Sequence, residues 1–437
     1  MGRGRHRWLA ALACAALLAF SGMAAAELRI EISEGVEKAV PVAIVPFGWE
    51  GELSAPADVA GIIAADLARS GRFAPIPVAD MLQRPTAGRE VDFDDWRILG
   101  VEYLVVGRLL PAGEDFTIQF QLFDVLRGRQ LLGYRQPARR RLLRATVHRV
   151  ADMLYEELTG VPGVFGTRIA YVTVSGGPDA RHYRLVVADA DGENARVLVD
   201  SPAPLMSPAW SPDGRKLAYV SFERDHSEIY VQELRSGARQ RVSARRGVNS
   251  APAWSPDGRY LALTLSRQDG NLDIYTLELA TQLLKRLTRH PAIDTEADWS
   301  SDGRWLYFTS DRGGGPQIYR IAADGSGRPE RVSFEGSYNA RPRVSPAAEQ
   351  LAVVHNDRGN YRIATIDLRR ATLQVLTDGR LDESPSFAPN GETLIYATRQ
   401  GNRGVLATVT VDGRIRQRIT ALEGDVREPA WSPFPAN

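Results

Sequence analysis

The chain has 437 residues, and its 54 Lys and Arg against 53 Asp and Glu leave a formal net charge of +1. This balance gives no electrostatic reason to expect nucleic acid or an anionic membrane surface as a partner. Hydrophobic residues make up 44% of the chain, which is typical of a chain with a buried core rather than a disordered one, and the length predicts two domains.

The first 26 residues have the organisation of a cleaved signal peptide. A basic start (residues 3–7) precedes an apolar run (residues 9–20), and three alanines at 24–26 provide a cleavage site of small residues. The apolar run is too short to span a membrane, so we expect an exported protein that is not itself inserted in a membrane. The single cysteine, Cys14, lies inside this segment, and the mature chain is therefore expected to have no thiol or disulfide chemistry.

The mature N-terminus begins with a short stretch that alternates apolar and charged residues, Leu28–Ile32. Such alternation predicts a β-strand. The strand could pair within its own domain or add to the sheet edge of another protein. The pattern alone favours internal pairing and leaves the second alternative open.

Residues 27–160 are predicted to form an α/β domain, since runs of strand character alternate with runs of helical spacing. Gly160 ends the last helix, and the segment 161–167, rich in Gly and Pro, is predicted to be a linker. The predicted elements are, in chain order, a strand at 42–45, helices at 56–69 and 92–99, strands at 103–106, 116–122 and 130–134, and a long amphipathic helix at 140–159.

A five-residue motif, Trp-Ser-Pro-Asp-Gly at 210–214, recurs through the second half of the chain. Intact or altered copies begin at 254, 299, 344, 387 and 431, so the period is 43–45 residues. Ser-Pro-Asp-Gly is a turn sequence, because Pro presets φ, Asp bonds back to the backbone and Gly accepts positive φ. Four strand-like runs per period predict the blades of a β-propeller.

The strand that follows the turn occurs six times, and its copies begin at Ile169, Leu217, Leu261, Leu306, Leu351 and Leu394. The first copy has no motif before it, and the last motif has no strand after it. We therefore expect residues 168–437 to form an all-β six-bladed β-propeller that the C-terminal segment closes, which removes exposed sheet edges.

Two residues before each Pro-x-Trp-like segment enter the innermost strand, which lines the central channel of a propeller. Their positions repeat while their chemistry varies, and varied side chains on a rigid ring are typical of a binding mouth. An ordinary hydrated channel is the alternative. The pairs are Met206–Ser207, Ser250–Ala251, Thr295–Glu296, Ala340–Arg341, Glu383–Ser384 and Arg427–Glu428.

Sequence motifs that indicate catalysis or metal binding are scarce. The chain contains no G-x-S-x-G nucleophile elbow and no histidine pair with the spacing of a zinc site. His148 is expected on the solvated face of the long helix, and so is the basic run of Arg139–Arg141 with Arg144. We predict no catalytic residue, no metal ligand and no cofactor.

Several segments together resemble the TolB family. They are the start of the mature chain (27–32), the junction at 166–172, the segments 204–214 and 381–386, and the Pro-Ala-Trp-Ser-Pro ending at 429–433. The motif repeats alone are shared by many propellers, but the resemblance covers essentially the whole mature chain. It is therefore specific.

The resemblance implies a non-enzymatic, periplasmic component of the Tol–Pal system that acts as a monomer. In this family the propeller mouth binds the lipoprotein Pal, and the N-terminal strand pairs with the C-terminal domain of TolA. The system supports outer-membrane integrity and constriction during cell division. The alternative function is a periplasmic propeller enzyme or a glycan-binding lectin.

Carried onto this chain, the resemblance implies two sets of contact residues. The chain departs from the family pattern at two places: Val248 stands where a polar ring residue is expected, and the motif at 344–346 is degenerate. The implied Pal-facing residues are Asn249, Ser250, Ala251, Thr295, Glu296, Asp382, Glu383 and Ser384. The implied TolA-facing residues are Glu27, Leu28, Arg29, Ile30, Glu31 and Ile32.

Overall fold

The computed structural model describes residues 39–52, 54–177, 180–266, 270–419 and 424–435. The predicted signal peptide and the predicted TolA-facing strand Glu27–Ile32 lie outside these residues. Within the described ranges, no helix is long and apolar enough to cross a membrane.

The N-terminal domain is a mixed sheet with helices packed on it. The strands are β1 (Val40–Ile44), β2 (Gly48–Trp49), β3 (Phe73–Pro75), β4 (Tyr103–Ala112), β5 (Asp115–Asp124) and β6 (Arg129–Ala138), and the helices are α1 (Val59–Arg69), α2 (Phe93–Ile98) and α3 (Leu143–Thr159). The sheet has the order β3-β1-β4-β5-β6, with β2 beside β4; β1 is parallel to β3 and β4, and β4, β5 and β6 form an antiparallel meander.

Capping residues set the helix ends. Asp58 accepts a hydrogen bond from the Gly61 N–H, so α1 begins three residues later than its predicted start at 56. Such a cap stabilises a helix by about 1 kcal/mol. Gly160 ends α3 with φ of 73° and donates its N–H to the Glu156 carbonyl, as the sequence predicted. The apolar face of α3 is buried in the core through Leu143, Val147, Val150 and Leu154.

The rest of the chain forms six four-stranded antiparallel sheets, which confirms the predicted propeller. Blade 1 consists of β30 (Asp425–Trp431), β7 (Arg168–Ser175), β8 (His182–Asp189) and β9 (Arg196–Ser201). Blade 2 consists of β10 (Leu205–Trp210), β11 (Lys216–Ser221), β12 (Glu228–Glu233) and β13 (Arg239–Ser243). Blade 3 consists of β14 (Asn249–Trp254), β15 (Tyr260–Ser266), β16 (Leu272–Glu278) and β17 (Leu284–Arg286).

Blades 4–6 repeat the same order, with the first-named strand innermost in each. Blade 4 consists of β18 (Asp294–Trp299), β19 (Trp305–Ser310), β20 (Gln317–Ala322) and β21 (Glu330–Arg331). Blade 5 consists of β22 (Asn339–Val344), β23 (Gln350–Asp357), β24 (Asn360–Asp367) and β25 (Thr372–Val375). Blade 6 consists of β26 (Glu383–Phe387), β27 (Thr393–Gln400), β28 (Arg403–Thr410) and β29 (Arg416–Ile419).

The repeated motif works through packing and turn formation. In blade 2, Asp213 accepts hydrogen bonds from the Ser211 hydroxyl and the Arg215 N–H, and Gly214 has φ of 65°. The motif tryptophan donates its indole N–H to a carbonyl of the preceding blade, as Trp254 does to Ala209 at 3.1 Å. The motifs at 210, 254 and 299 therefore each tie their blade to the preceding one.

The ring closes through β30, the last strand of the chain, which pairs antiparallel with β7. Trp431 donates its indole N–H to the Thr167 hydroxyl at 2.8 Å, and the Ser432 N–H donates to the Arg168 carbonyl. Blade 1 is thus assembled from the two ends of the propeller sequence, and the inner edge of β7 is covered.

The N-terminal domain rests on blades 1 and 6, at the face where the inner strands end. Arg72 lies 3.0 Å from the Glu392 carboxylate, and Asn390 donates its side-chain N–H to the Pro162 carbonyl at 3.0 Å. Glu392 and Asn390 belong to the turn after β26. The opposite ends of the inner strands are therefore turned away from the N-terminal domain.

The structure contradicts two expectations for α3. His148, expected on the surface, is 1% exposed and lies 2.6 Å from the Asp66 carboxylate. Arg144 is half-buried and pairs with Asp191 of blade 1, whereas Arg139–Arg141 are exposed as predicted. Both corrections have one cause, because the side of α3 that carries Arg144 and His148 faces α1 and the propeller rather than solvent.

A chain that ends at Gly424, and so lacks β30, is expected to be less stable than one that ends at Pro433. Its β7 edge is unpaired and the apolar contacts of Val426 and Ala430 are lost, at a cost of at least about 3 kcal/mol, or roughly 6 °C or more in Tm. Thermal unfolding followed by circular dichroism measures the difference. Equal Tm values for the two truncated chains would contradict the role of β30 in closure.

Candidate functional site

The predicted channel residues lie on a β-bulge that every blade repeats. In each innermost strand the pairing register shifts next to these residues. Bulges re-aim side chains next to functional sites, and a left-handed non-glycine residue costs of order 1 kcal/mol or more. One residue of each bulge has a left-handed backbone conformation, with φ between 49° and 55°; these residues are Ser207, Ala251, Glu296, Arg341, Ser384 and Glu428.

Two of the implied Pal-facing side chains are held inside the blades. Asn249 is fully buried; its carbonyl oxygen accepts from the Ser243 hydroxyl and the Arg245 N–H. Asp382 is also buried; it accepts from the Thr398 hydroxyl and the Gly379 N–H, and burial raises the pKa of its carboxyl. These side chains hold the loops that lead into the inner strands and are buried in the structure, and their implied contact with Pal stays a prediction.

The other six implied residues lie at the mouth end of the inner strands of blades 3, 4 and 6. Ser384 is buried at this level, and the remaining five are half-buried. The bulges bring them to one ring although they are up to 134 residues apart in the chain. The half-buried five are Ser250, Ala251, Thr295, Glu296 and Glu383.

Arg341 of blade 5 joins this ring across the channel. Its Nε lies 2.7 Å from the Glu296 carboxylate of blade 4, and its Nη2 lies 3.0 Å from the Glu428 carboxylate of blade 1. Nη1 donates to the Ser384 hydroxyl of blade 6 at 2.5 Å. Burial by itself would lower the pKa of Arg341, but the Glu428 and Glu296 carboxylates raise it. One guanidinium therefore fixes the orientation of two carboxylates at the mouth.

Exposed apolar side chains stand at the mouth end of blades 2 to 5, and we call them the apolar rim. Val248 and Ile293 precede the inner strands of blades 3 and 4, Phe334 lies in the loop before β22, and Met206 lies on β10. They are 39%, 46%, 60% and 41% exposed, respectively. An exposed apolar set around polar groups is typical of a protein-interaction site. Val248, where a polar residue was expected, is part of this rim.

Sequence reasoning missed the apolar rim and the function of Arg341. The rim could have been predicted from the repeat, since Val248 and Ile293 both stand four residues before the Pro or Ala that follows the bulge. Arg341 was placed on the channel but left out of the contact set. Its partners are 43 and 87 residues away in the chain, and no local pattern connects them.

Asp66, His148 and Asp191 form a second group of polar side chains, far from the mouth. They bring potential metal-ligand atoms within 4.8 Å of one another. Arg69 already lies 2.7 Å from the Asp66 carboxylate, and Arg144 lies 2.5 Å from that of Asp191. These guanidiniums supply the positive charge that an ion would bring, so we describe the group as an ion-pair network between the domains.

Comparison with known proteins agrees with this architecture. Residues 155–435 match the family model of the TolB beta propeller domain, and residues 28–131 match that of the TolB amino-terminal domain. The chain belongs to the TolB family. The resemblance stated from the sequence is thereby confirmed, and membership of the TolB family makes the chain a component of the Tol–Pal system.

Individual TolB proteins are similar over nearly the full length. The chain is 52% identical to the Tol-Pal system protein TolB of Xanthomonas campestris pv. campestris (strain B100) over 433 residues, or 98% of each chain. It is 51% identical to the corresponding protein of Xanthomonas euvesicatoria pv. vesicatoria (strain 85-10), with the same coverage. The crystal structure of TolB from Acinetobacter baumannii superimposes with a TM-score of 0.84 at 40% identity, covering 93% of this chain and 100% of that one.

Replacement of Arg341 by Met is expected to destabilise the propeller by about 2–3 kcal/mol at pH 7, because Glu296 and Glu428 lose their counter-charge. Urea unfolding at neutral pH measures the loss. Arg358→Met, at a side chain that is 94% exposed, is the control; equal stability of the two variants would contradict the bracing role of Arg341.

Proposed function

We propose that this TolB-family protein is a non-enzymatic, periplasmic protein-interaction hub. It binds Pal at the propeller mouth and TolA through residues 27–32, and it supports outer-membrane integrity and constriction during cell division. The observation that carries the proposal is the mouth itself, where an apolar rim stands beside carboxylates held in place by Arg341. The Tol–Pal names of close relatives support the choice of partners.

The mouth has the composition of a protein-binding surface. The apolar rim supplies area whose burial drives association, at roughly 25 cal/mol per Å². Glu296 is held by Arg341 before any partner arrives, so little side-chain entropy is lost when it makes a contact. The proposed contact set is therefore Ser250, Ala251, Thr295, Glu296, Glu383 and Ser384 with the apolar rim, while Asn249 and Asp382 position the loops beneath it.

The mouth faces away from the N-terminal domain, which leaves room there for a partner of protein size. The inner strands begin at the mouth and end at the turns that contact the N-terminal domain, such as Asn390 with Pro162. A protein bound at the mouth would therefore not collide with the N-terminal domain. The two proposed binding sites can be occupied by different proteins at the same time.

Calorimetric titration of the mature protein with the periplasmic domain of Pal tests the mouth. We expect saturable one-to-one binding that Glu383→Lys and Val248→Asp each weaken at least about tenfold, because the first change reverses a charge and the second adds one in a contact that binding desolvates. Neither variant replaces Arg341 or Glu296. Glu349→Lys, at an exposed turn of the opposite face with a 62% exposed side chain, is the matched control.

If both mouth variants bound Pal with the affinity of the wild type, the Pal-binding site would not lie at the mouth. Absence of binding by the folded wild-type protein at any ionic strength would contradict Pal as the partner.

We also propose that the two sites are coupled. Pal at the mouth changes whether the N-terminal strand is docked on the protein or free for TolA, a population shift between two states. A groove of about 600 Å³ between the domains supports this idea. It is lined by Val40, Tyr103 and Tyr155. Val40 comes eight positions after Ile32, the last proposed TolA-facing residue, so the groove is near enough in the chain to offer that region a place to dock.

Deletion of residues 27–32 is expected to abolish binding of the TolA C-terminal domain, because the strand that would add to its sheet is gone. Coupling predicts that the same deletion also changes the affinity for Pal by several-fold. Titration of each partner measures both effects, and a chain that ends at Pro433 serves as the deletion control. Unchanged Pal affinity would contradict the coupling alone, whereas retained TolA binding would contradict the assignment of the strand.

A further inference from the structure

The loops that lead into the inner strands at the mouth differ in charge from blade to blade, and we call them the entry loops. The loop of blade 3 carries two arginines and that of blade 4 carries one, and neither carries an acidic residue. The loop of blade 5 carries one glutamate, and that of blade 6 carries two aspartates against one arginine. Among the described entry loops, the charge is therefore positive at blades 3 and 4 and negative at blades 5 and 6. The entry loops of blades 2–6 are residues 202–204, 244–248, 287–293, 332–338 and 376–382.

The arginines of the blade 3 and blade 4 loops are Arg245, Arg246 and Arg289, and we call them the basic arc. All three side chains are exposed, and none forms an ion pair with another described residue. The same two loops carry Val248 and Ile293 of the apolar rim. The basic arc is therefore unneutralised positive charge next to the apolar part of the mouth.

Buried Asn249 fixes the backbone of the blade 3 loop. Its side-chain carbonyl accepts from the Arg245 N–H at 3.0 Å, and its amide donates to the carbonyls of Arg245 at 2.7 Å and Gly247 at 3.2 Å. The Val248 N–H donates to the Ser266 hydroxyl at 2.8 Å. Gly247 has φ of 89°, and a Cβ there would lie 2.0 Å from the Ser266 hydroxyl oxygen. The backbone beneath two of the arginines is therefore in place before a partner arrives, which reduces the entropy lost on binding.

Backbone geometry alone does not fix how a partner is turned about the propeller axis. Every inner strand has its bulge at the same register, so the six blades offer nearly equivalent backbone positions. Side-chain charge removes this equivalence, because complementary charges fix the register of two surfaces and like charges oppose the wrong one.

We propose that the basic arc binds acidic groups on Pal and thereby fixes the rotational orientation of Pal at the mouth. This inference rests on the proposed function, because it names the chemistry of the surface that Pal presents to the mouth. Acidic groups of Pal lie against the basic arc, and apolar groups beside them cover Val248 and Ile293. Because the three arginines are exposed, they act mainly on the association rate, through electrostatic steering.

Stopped-flow mixing of the mature protein with the periplasmic domain of Pal tests the steering. We expect the double change Arg245→Glu and Arg246→Glu to lower the association rate at least about fivefold at an ionic strength of about 0.05 M. The difference is expected to shrink to about twofold at about 0.5 M, where the Debye length is only about 4 Å.

Two further double variants assign the effect to the position of the charge. Arg215→Glu with Arg235→Glu alters the net charge by the same amount at exposed residues on the opposite end of blade 2, and this matched control is expected to associate as the wild type does. Arg245→Lys with Arg246→Lys keeps the charge and is also expected to associate at the wild-type rate.

Photo-crosslinking tests the orientation. With benzoylphenylalanine in place of the exposed Ala244 in the blade 3 entry loop, we expect attachment to a single segment of Pal that contains Asp or Glu. Adding Arg245→Glu and Arg246→Glu is expected to spread the attachment over several segments. Mass spectrometry of the digested conjugates identifies the segments.

Equal association rates for the charge-reversed variant and the matched control would overturn the proposal and leave Pal binding at the mouth intact. Attachment of Ala244 to several segments of Pal, or to one without an acidic residue, would overturn it as well. Absence of Pal binding by the wild type would instead contradict the proposed function, and this inference with it.

Discussion

The antiparallel pairing of β30 with β7 is the constraint on which the rest of the structure depends. It joins the end of the chain to the start of the propeller and completes the sixth four-stranded sheet. It also carries Glu428 to the channel, next to Arg341, and Trp431 to the linker, next to Thr167. One strand therefore completes the charged centre of the mouth at one end and contacts the base of the N-terminal domain at the other.

Ring closure also explains how the mouth combines a fixed frame with variable chemistry. Each inner strand has a bulge at the same register, so backbone geometry fixes where the side chains stand and leaves their identity free. In this chain the positions hold a guanidinium and carboxylates at the centre with an apolar rim outside. The charged groups are organised by one another rather than by solvent, and a partner would meet a preformed surface.

The contact between the domains has the opposite character. It is built from turns and helix sides, and its central polar group contains His148, Asp66 and Asp191 with two arginines. Ionic contacts of this kind contribute less stability than an apolar core. The blades are thus joined by strand pairing and apolar packing, whereas the contact between the domains is made largely by ion pairs and turn hydrogen bonds.

The sequence by itself determined the α/β domain, the six blades, the turn chemistry and the helix stop at Gly160, because each depends on residues a few positions apart or on a repeat of regular period. Only the tertiary structure decided that Asn249 and Asp382 are buried, that His148 lies between two domains and that Arg341 braces the mouth. These features depend on partners far away in the chain, 82 residues for His148 with Asp66 and 87 for Arg341 with Glu428. Periodicity encodes which face of an element is apolar, but burial and pairing of a polar side chain are set by what the finished fold places against it.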